Sequence, residues 1–240
     1  MQLKWLIGPS NNSEMITKRI EAARSIALLV LAVAVTLGEG VSLAALAIVA
    51  LLALVDFRSL KLDETSPWCL APAIGIALWA SSGAVAWLIG GYGVLDFGEV
   101  GRWMSFGALA LVPLSMARLE RAHLERIATA YLVTLVVASL FALATVALNA
   151  RPGEWLVRGA SNGIHQGRMP FDASQTVAGG FYFHRLKFAH VSALGVLLLT
   201  VRQLAVPMSG VRRGGEGAAL GVMTVAFFLT YVRASVLGVG

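Results

Sequence analysis

Long apolar runs separated by short charged connectors follow one another along the chain. A helix needs about 20 apolar residues to cross the hydrocarbon of a bilayer, at about 1.5 Å of rise per residue. The runs are too continuous for a transmembrane barrel, whose strands alternate apolar and polar positions in short segments. The pattern therefore predicts an all-α fold, a polytopic transmembrane helical bundle of about seven spans with one long extracytoplasmic loop.

The apolar runs also predict how the chain is divided. Residues 1–24 are expected to form a cytoplasmic segment with an amphipathic helix, residues 25–149 five transmembrane helices, residues 150–187 the extracytoplasmic loop and residues 188–240 helices six and seven. The first two helices are predicted to be a hairpin of short spans hinged at Gly38-Glu39-Gly40. The other spans are predicted at Trp68–Gly90, Trp103–Ala117, Ile127–Asn149, Phe188–Val206 and from Ala218 onward.

Composition supports a membrane protein and excludes several other classes. Of the 240 residues, 58% are hydrophobic and only 13% are charged, which is too little polar surface for a soluble domain. The single Cys69 excludes an internal disulfide and a multi-cysteine metal site. The chain has neither a Walker loop nor a dinucleotide fingerprint, so no nucleotide cofactor is predicted.

The net charge of +6 is interpreted as a topology signal and not as a nucleic-acid surface. When the hairpin is counted as two spans, lysines and arginines are more numerous on the side that carries the N-terminus. The positive-inside rule then places that side in the cytoplasm. If the hairpin were one span, the excess of lysines and arginines on that side would disappear, and the positive-inside rule would say little about the orientation.

Cations inside the predicted outer loop and in the last helix are candidates for binding an anion. Arg168, Arg185 and Lys187 lie in the loop, and an arginine fork suits phosphate because it donates two parallel hydrogen bonds. Arg233 lies in the predicted seventh span, where a charge is costly unless it faces a polar cavity or the interface. Snorkelling cations and an interfacial aromatic belt are the alternative explanation.

Two motifs carry a family resemblance. The first runs Gly180-Phe181-Tyr182-Phe183-His184-Arg185-Leu186-Lys187-Phe188-Ala189, and the second runs Leu229-Thr230-Tyr231-Val232-Arg233-Ala234-Ser235-Val236-Leu237-Gly238. Together they resemble the O-antigen ligase and O-antigen polymerase family of bacterial envelope enzymes. The chain departs from that family's pattern at Arg185, Lys187 and Val232.

The resemblance implies transfer of a glycan from undecaprenyl pyrophosphate to an acceptor hydroxyl, on a glycan or a lipid A core. The reaction would occur at the periplasmic face of the bacterial inner membrane, without nucleotide or metal. Arg233 is expected to hold the pyrophosphate and His184 to lie near the same cavity, with Arg185, Lys187 and Arg168 as a wider cationic funnel. The resemblance also implies that the chain is an N-terminal fragment whose general base lies beyond residue 240.

Two other functions agree with the same pattern. A transporter or flippase-like protein would bind an anionic lipid without chemistry, and further inverted-repeat spans would favour that class. A non-catalytic membrane subunit is the third possibility.

Overall fold

The computed structural model describes residues 11–55, 67–89, 108–117, 119–149, 176–181, 185–207 and 209–231. Within these ranges the chain forms seven helices and no strand, which confirms the all-α prediction there. The helices are α1 (Asn11–Leu37), α2 (Glu39–Val55), α3 (Pro67–Ile89), α4 (108–116), α5 (Arg121–Ala147), α6 (Arg185–Ala205) and α7 (Gly210–Phe228).

Three of the described helices are long and apolar enough to cross a membrane. They are Lys18–Leu37 within α1, the whole of α5 and the whole of α6. Between 33% and 39% of the most apolar stretch of each is buried inside the protein, so the larger share of each stretch keeps some exposed apolar surface. Such a surface is matched by hydrocarbon and not by water. The described helices therefore indicate a membrane protein, whereas about seven spans remain a prediction.

The predicted break at the Gly38-Glu39-Gly40 triplet is confirmed. Helix α1 ends at Leu37 and α2 begins at Glu39, with Gly38 between them at φ 148°, a backbone conformation that favours glycine. Helix α1 runs without interruption from Asn11 to Leu37, across the predicted boundary at residue 24 between the cytoplasmic segment and the first span. No glycine or proline interrupts that sequence, so the amphipathic segment and the first span form one helix.

The later helices begin earlier than the apolar runs predict. Helix α5 begins at Arg121 and not at Ile127, and its first turns contain the exposed i, i+4 ion pair of Arg121 and Glu125, with 3.0 Å between Nε and Oε1. Helix α6 begins at Arg185, so two loop cations of the sequence prediction belong to its first turn. Charged residues with good helix propensity extend both helices beyond their apolar parts.

Helix α7 differs most from its prediction. It begins at Gly210 instead of Ala218 and ends at Phe228, and Leu229 and Thr230 form a turn. The prediction that this helix continues as far as Arg233 is therefore wrong. Tyr231 has φ 54°, and this left-handed backbone cannot continue a right-handed helix.

The chain divides into two compact units. The first comprises Met1–Leu31 and Ser42–Ile127, and the second comprises Ala32–Val41 and Ala128–Gly240. In the first unit, Ala73 of α3 and Leu114 of α4 form a small buried cluster. The second unit holds a larger core, and both motifs lie in its part of the sequence.

Three helices of the second unit meet at Gly195 of α6. A Cβ at this position would collide with Leu135 of α5 and lie 3.4 Å from the Met223 Sδ of α7. The small residue thus lets the two neighbours approach the α6 backbone closely. Tyr131 adds a hydrogen bond from α5 to α6, donating from its hydroxyl to the Val191 carbonyl at 2.7 Å. The surrounding core includes Leu132, Ala138, Ala142, Phe188, Val196, Leu199 and Ala226.

Changing Gly195 to alanine should destabilise the second unit by about 1–3 kcal/mol, because Leu135 is fully buried and has to move. Unfolding in mixed micelles of increasing dodecyl sulfate content would measure the loss. The matched control is Gly221→Ala on α7, where an added Cβ meets no atom within 4 Å. Helix propensity alone should make the control neutral or more stable by up to about 1 kcal/mol. Equal stability of the two variants would contradict close packing at Gly195.

Candidate functional site

The two motifs of the sequence meet in the structure. The backbone N–H of Ala178, just before the first motif, donates to the carbonyl oxygen of Leu229, which begins the second, at 3.0 Å. Both residues belong to the same hydrophobic core as Phe188 near the start of α6. Contacts of Gly195 with Met223, and of Arg202 with Glu216, show that α6 and α7 run antiparallel. The start of α6 and the end of α7 therefore lie at one end of this helix pair.

Residues 176–181, here called the entry segment, connect these helix ends to α5. Thr176, Val177 and Ala178 are 2%, 1% and 0% exposed, although they belong to the loop predicted to be polar. Buried backbone groups need hydrogen-bond partners. Thr176 donates from its backbone N–H and from Oγ1 to the side-chain oxygen of Asn149, at 2.8 and 3.0 Å. The entry segment is thus held between the end of α5 and the end of α7.

A turn at Gly180 leads the entry segment toward α6. Gly180 has φ 54°, and a Cβ there would lie 2.6 Å from the Phe188 ring, which is fully buried. Both the backbone conformation and the close approach therefore require glycine. The next residue, Phe181, stacks on Phe141 of α5 with 4.8 Å between ring centroids. This stacking fixes the exposed end of the turn against the helix.

Two cations occupy the first turn of α6. Arg185 and Lys187 are half-buried, and each takes part in an interaction within the protein. The N-terminus of a helix carries a positive partial charge, so cations gain nothing from the helix dipole there. Their charge adds to the positive potential of the helix end, which favours an anion nearby.

The end of α7 has a strained backbone. Thr230 is fully buried and donates from Oγ1 to the Phe227 carbonyl at 2.7 Å. Tyr231 follows in the left-handed region, which is unusual for a bulky side chain and costs of order 1–3 kcal/mol. Such strain is frequent at functional sites. It lies here inside the second motif, directly before Val232 and Arg233.

Two of the five predicted site residues, Arg185 and Lys187, lie within the described residues and share the first turn of α6. His184, Arg168 and Arg233 lie outside the described residues, so their roles stay predictions. Sequence reasoning missed the contribution of Asn149 and Thr176. An asparagine at a helix end was the available signal, because asparagine tolerates the left-handed conformation that Asn149 adopts at φ 47°.

Within the described ranges, no three His, Cys, Asp or Glu side chains lie together as a metal site requires. The class that these residues define is a helical membrane protein with a cationic helix end. No family model, no curated protein and no solved structure matches the chain.

Proposed function

We propose that the protein is a membrane glycan ligase or polymerase. It transfers a glycan from undecaprenyl pyrophosphate to an acceptor hydroxyl, on another glycan or on a lipid A core, at the periplasmic face of the bacterial inner membrane. The proposal includes about seven spans, a cytoplasmic N-terminus and an extracytoplasmic segment at residues 150–187, whose last three residues begin α6. The observation that supports it best is the hydrogen bond between Ala178 and Leu229.

This hydrogen bond supports the proposal because one site needs both motifs at the same membrane surface. The two motifs are separated in sequence by most of α6, a connector and α7. The antiparallel helix pair brings them to one end, and the entry segment joins them through both a backbone hydrogen bond and the shared core. If the two motifs resembled the family pattern only by chance, nothing would require them to be in contact.

The cations provide the chemistry that such a transfer needs. A bond forms between the acceptor oxygen and the anomeric carbon of the sugar, the hydroxyl proton passes to a base, and the bond from that carbon to the pyrophosphate oxygen breaks. Negative charge grows on the leaving pyrophosphate, and a guanidinium positioned there stabilises the transition state more than the ground state. Arg233 has this role in the proposal. Arg185, Lys187 and Arg168 are proposed to attract the anion, and His184 to contribute to the same site.

Changing Arg233 to alanine should abolish glycan transfer and leave the protein in the membrane. Loss of one group that stabilises transition-state charge reduces a rate by about 10²–10³ or more. Cellular glycan product and membrane-bound protein would be measured in parallel. Arg121→Ala is the matched control, since the Arg121 side chain is 86% exposed and pairs with Glu125 one turn away. Normal transfer by the Arg233 variant would refute the assignment.

A second experiment separates catalysis from transport. The protein would be reconstituted with a labelled lipid-linked glycan and an acceptor. A new glycosidic product supports transfer. Movement of the labelled lipid across the bilayer without any product supports the transporter or flippase-like alternative.

A further inference from the structure

A second group of cations lies at the opposite end of the α6 and α7 pair. Arg202 is in the last turn of α6, and Arg212 and Arg213 are in the first turn of α7. These three residues are here called the arginine cluster. The antiparallel arrangement separates the cluster from the entry segment by the length of the helices, so the two groups cannot form one site.

One carboxylate holds two members of the arginine cluster. Glu216 Oε1 lies 3.2 Å from Nε of Arg202 and 3.2 Å from Nε of Arg212. The side chains of Arg202 and Glu216 are only 20% and 16% exposed, whereas that of Arg212 is 54% exposed. A single negative charge therefore neutralises only one of two neighbouring guanidinium groups, and Arg213 adds a further positive charge. The surplus charge lies next to a partly buried ion pair, where solvent screens it less.

Most of the hydrogen-bond donors of the arginine cluster are available. Each of Arg202 and Arg212 meets Glu216 through Nε, and within the described part of the chain the terminal Nη groups make no further hydrogen bond. The side chain of Arg213 makes none within the same ranges. The next two positions of α7 are also open, because a Cβ at Gly214 or Gly215 would meet no atom of the described residues within 4 Å. A tetrahedral anion can thus approach donors from more than one arginine.

Helix stability does not explain why the cations are placed here. Arg202 gains from the dipole at the C-terminus of α6 and from Glu216. Arg212 and Arg213 lie at the N-terminal end of α7, where the dipole disfavours a cation. An i, i+4 ion pair with Glu216 offsets part of this cost for Arg212 and none of it for Arg213.

We propose that the arginine cluster binds the phosphate group of an anionic phospholipid at the membrane surface. Guanidinium forks bind phosphate with parallel charge-assisted hydrogen bonds, and two or more of them next to apolar helices match a lipid headgroup whose acyl chains lie along those helices. Glu216 keeps Arg202 and Arg212 together, and the surplus charge remains for the lipid. The inference does not depend on the proposed glycan transfer.

The test uses the full chain purified in zwitterionic detergent and titrated with phosphatidylglycerol or with phosphatidylcholine, with bound lipid counted by native mass spectrometry. The protein is expected to retain phosphatidylglycerol preferentially. The double variant Arg212→Gln with Arg213→Gln should bind it at least about tenfold more weakly, since it loses charged donors. Both residues are exposed at the helix start, so the variant is expected to fold. Helix content by circular dichroism checks this.

Arg121→Gln is the matched control, because Arg121 forms the same exposed i, i+4 pair with Glu125 at the start of a different helix, α5. Its lipid binding should not change. Inorganic phosphate is the second probe. Inorganic phosphate could bind and show the same loss of affinity in the double variant, while the protein does not prefer phosphatidylglycerol over phosphatidylcholine. The arginine cluster would then be a site for a soluble phosphate anion and not for a lipid headgroup. Unchanged phosphatidylglycerol binding in the double variant, or an equal loss in Arg121→Gln, overturns the site.

Discussion

Replacing Gly180 by alanine is expected to lower the free energy of unfolding of the second unit by about 2–4 kcal/mol. Two costs contribute to this value. Alanine at φ 54° adopts a strained left-handed backbone, at about 1–2 kcal/mol. Its methyl group also collides with the Phe188 ring, which is fully buried and cannot turn away into solvent. Overpacking of this kind typically costs about 1–3 kcal/mol.

A double-mutant cycle with Phe188→Leu separates the two costs of Gly180→Ala. Leucine lacks Cε2, one of the two ring atoms that the new methyl group would meet at 2.6 Å, so the double variant should recover part of the packing cost and keep the backbone strain. Phe188→Leu alone gives the cost of the smaller side chain. Dodecyl sulfate unfolding of all four proteins would measure the coupling. Additive effects would contradict direct contact between residue 180 and the ring.

The same variant also bears on the proposed reaction. Gly180 begins the first motif, and its turn leads from the entry segment to the cations at the start of α6. Glycan transfer should therefore fall in Gly180→Ala even at a temperature where the protein remains folded. The Phe188→Leu variant leaves the turn at Gly180 unchanged and should retain more glycan transfer than Gly180→Ala.

Most helices could be predicted from the sequence because hydropathy and backbone chemistry indicate the same elements. The run at residues 127–149 and the break at Gly38 are examples, since a long apolar run predicts a span and glycine interrupts it. Helix starts were less predictable. Arg121 and Arg185 have good helix propensity, and hydropathy cannot distinguish a charged helical turn from a charged connector.

The candidate site was predictable only in part, because its contacts depend on tertiary structure. The motif residues and the cations of α6 could be read from sequence. The burial of Thr176 and Val177 could not, since they follow Ser174 and Gln175 in a loop predicted to be polar and are covered by packing within the second unit. The early end of α7 could not be predicted from the sequence either. Leu229, Thr230 and Tyr231 carry no glycine or proline signal, and a bulky residue such as Tyr231 does not predict a left-handed backbone.

Asn149→Ala is expected to cost about 2–4 kcal/mol of unfolding free energy through loss of the link between α5 and the entry segment. Asn149 Oδ1 accepts hydrogen bonds from both the backbone N–H and Oγ1 of Thr176. Thr176 is 2% exposed, so water is poorly placed to substitute for the lost acceptor. A buried donor that loses its acceptor costs about 1–3 kcal/mol. Alanine at φ 47° adds backbone strain.

Two further variants separate the hydrogen-bond loss in Asn149→Ala from its backbone strain. Asn149→Gly fits the left-handed backbone without strain and removes only the acceptor, so it should be less damaging than Asn149→Ala. Thr176→Val removes the hydroxyl donor and keeps the backbone N–H bond, at about 1 kcal/mol. Unfolding in dodecyl sulfate should rank the losses as Asn149→Ala, then Asn149→Gly, then Thr176→Val. Wild-type stability in Asn149→Gly would mean that the side-chain oxygen of Asn149 does not hold the entry segment.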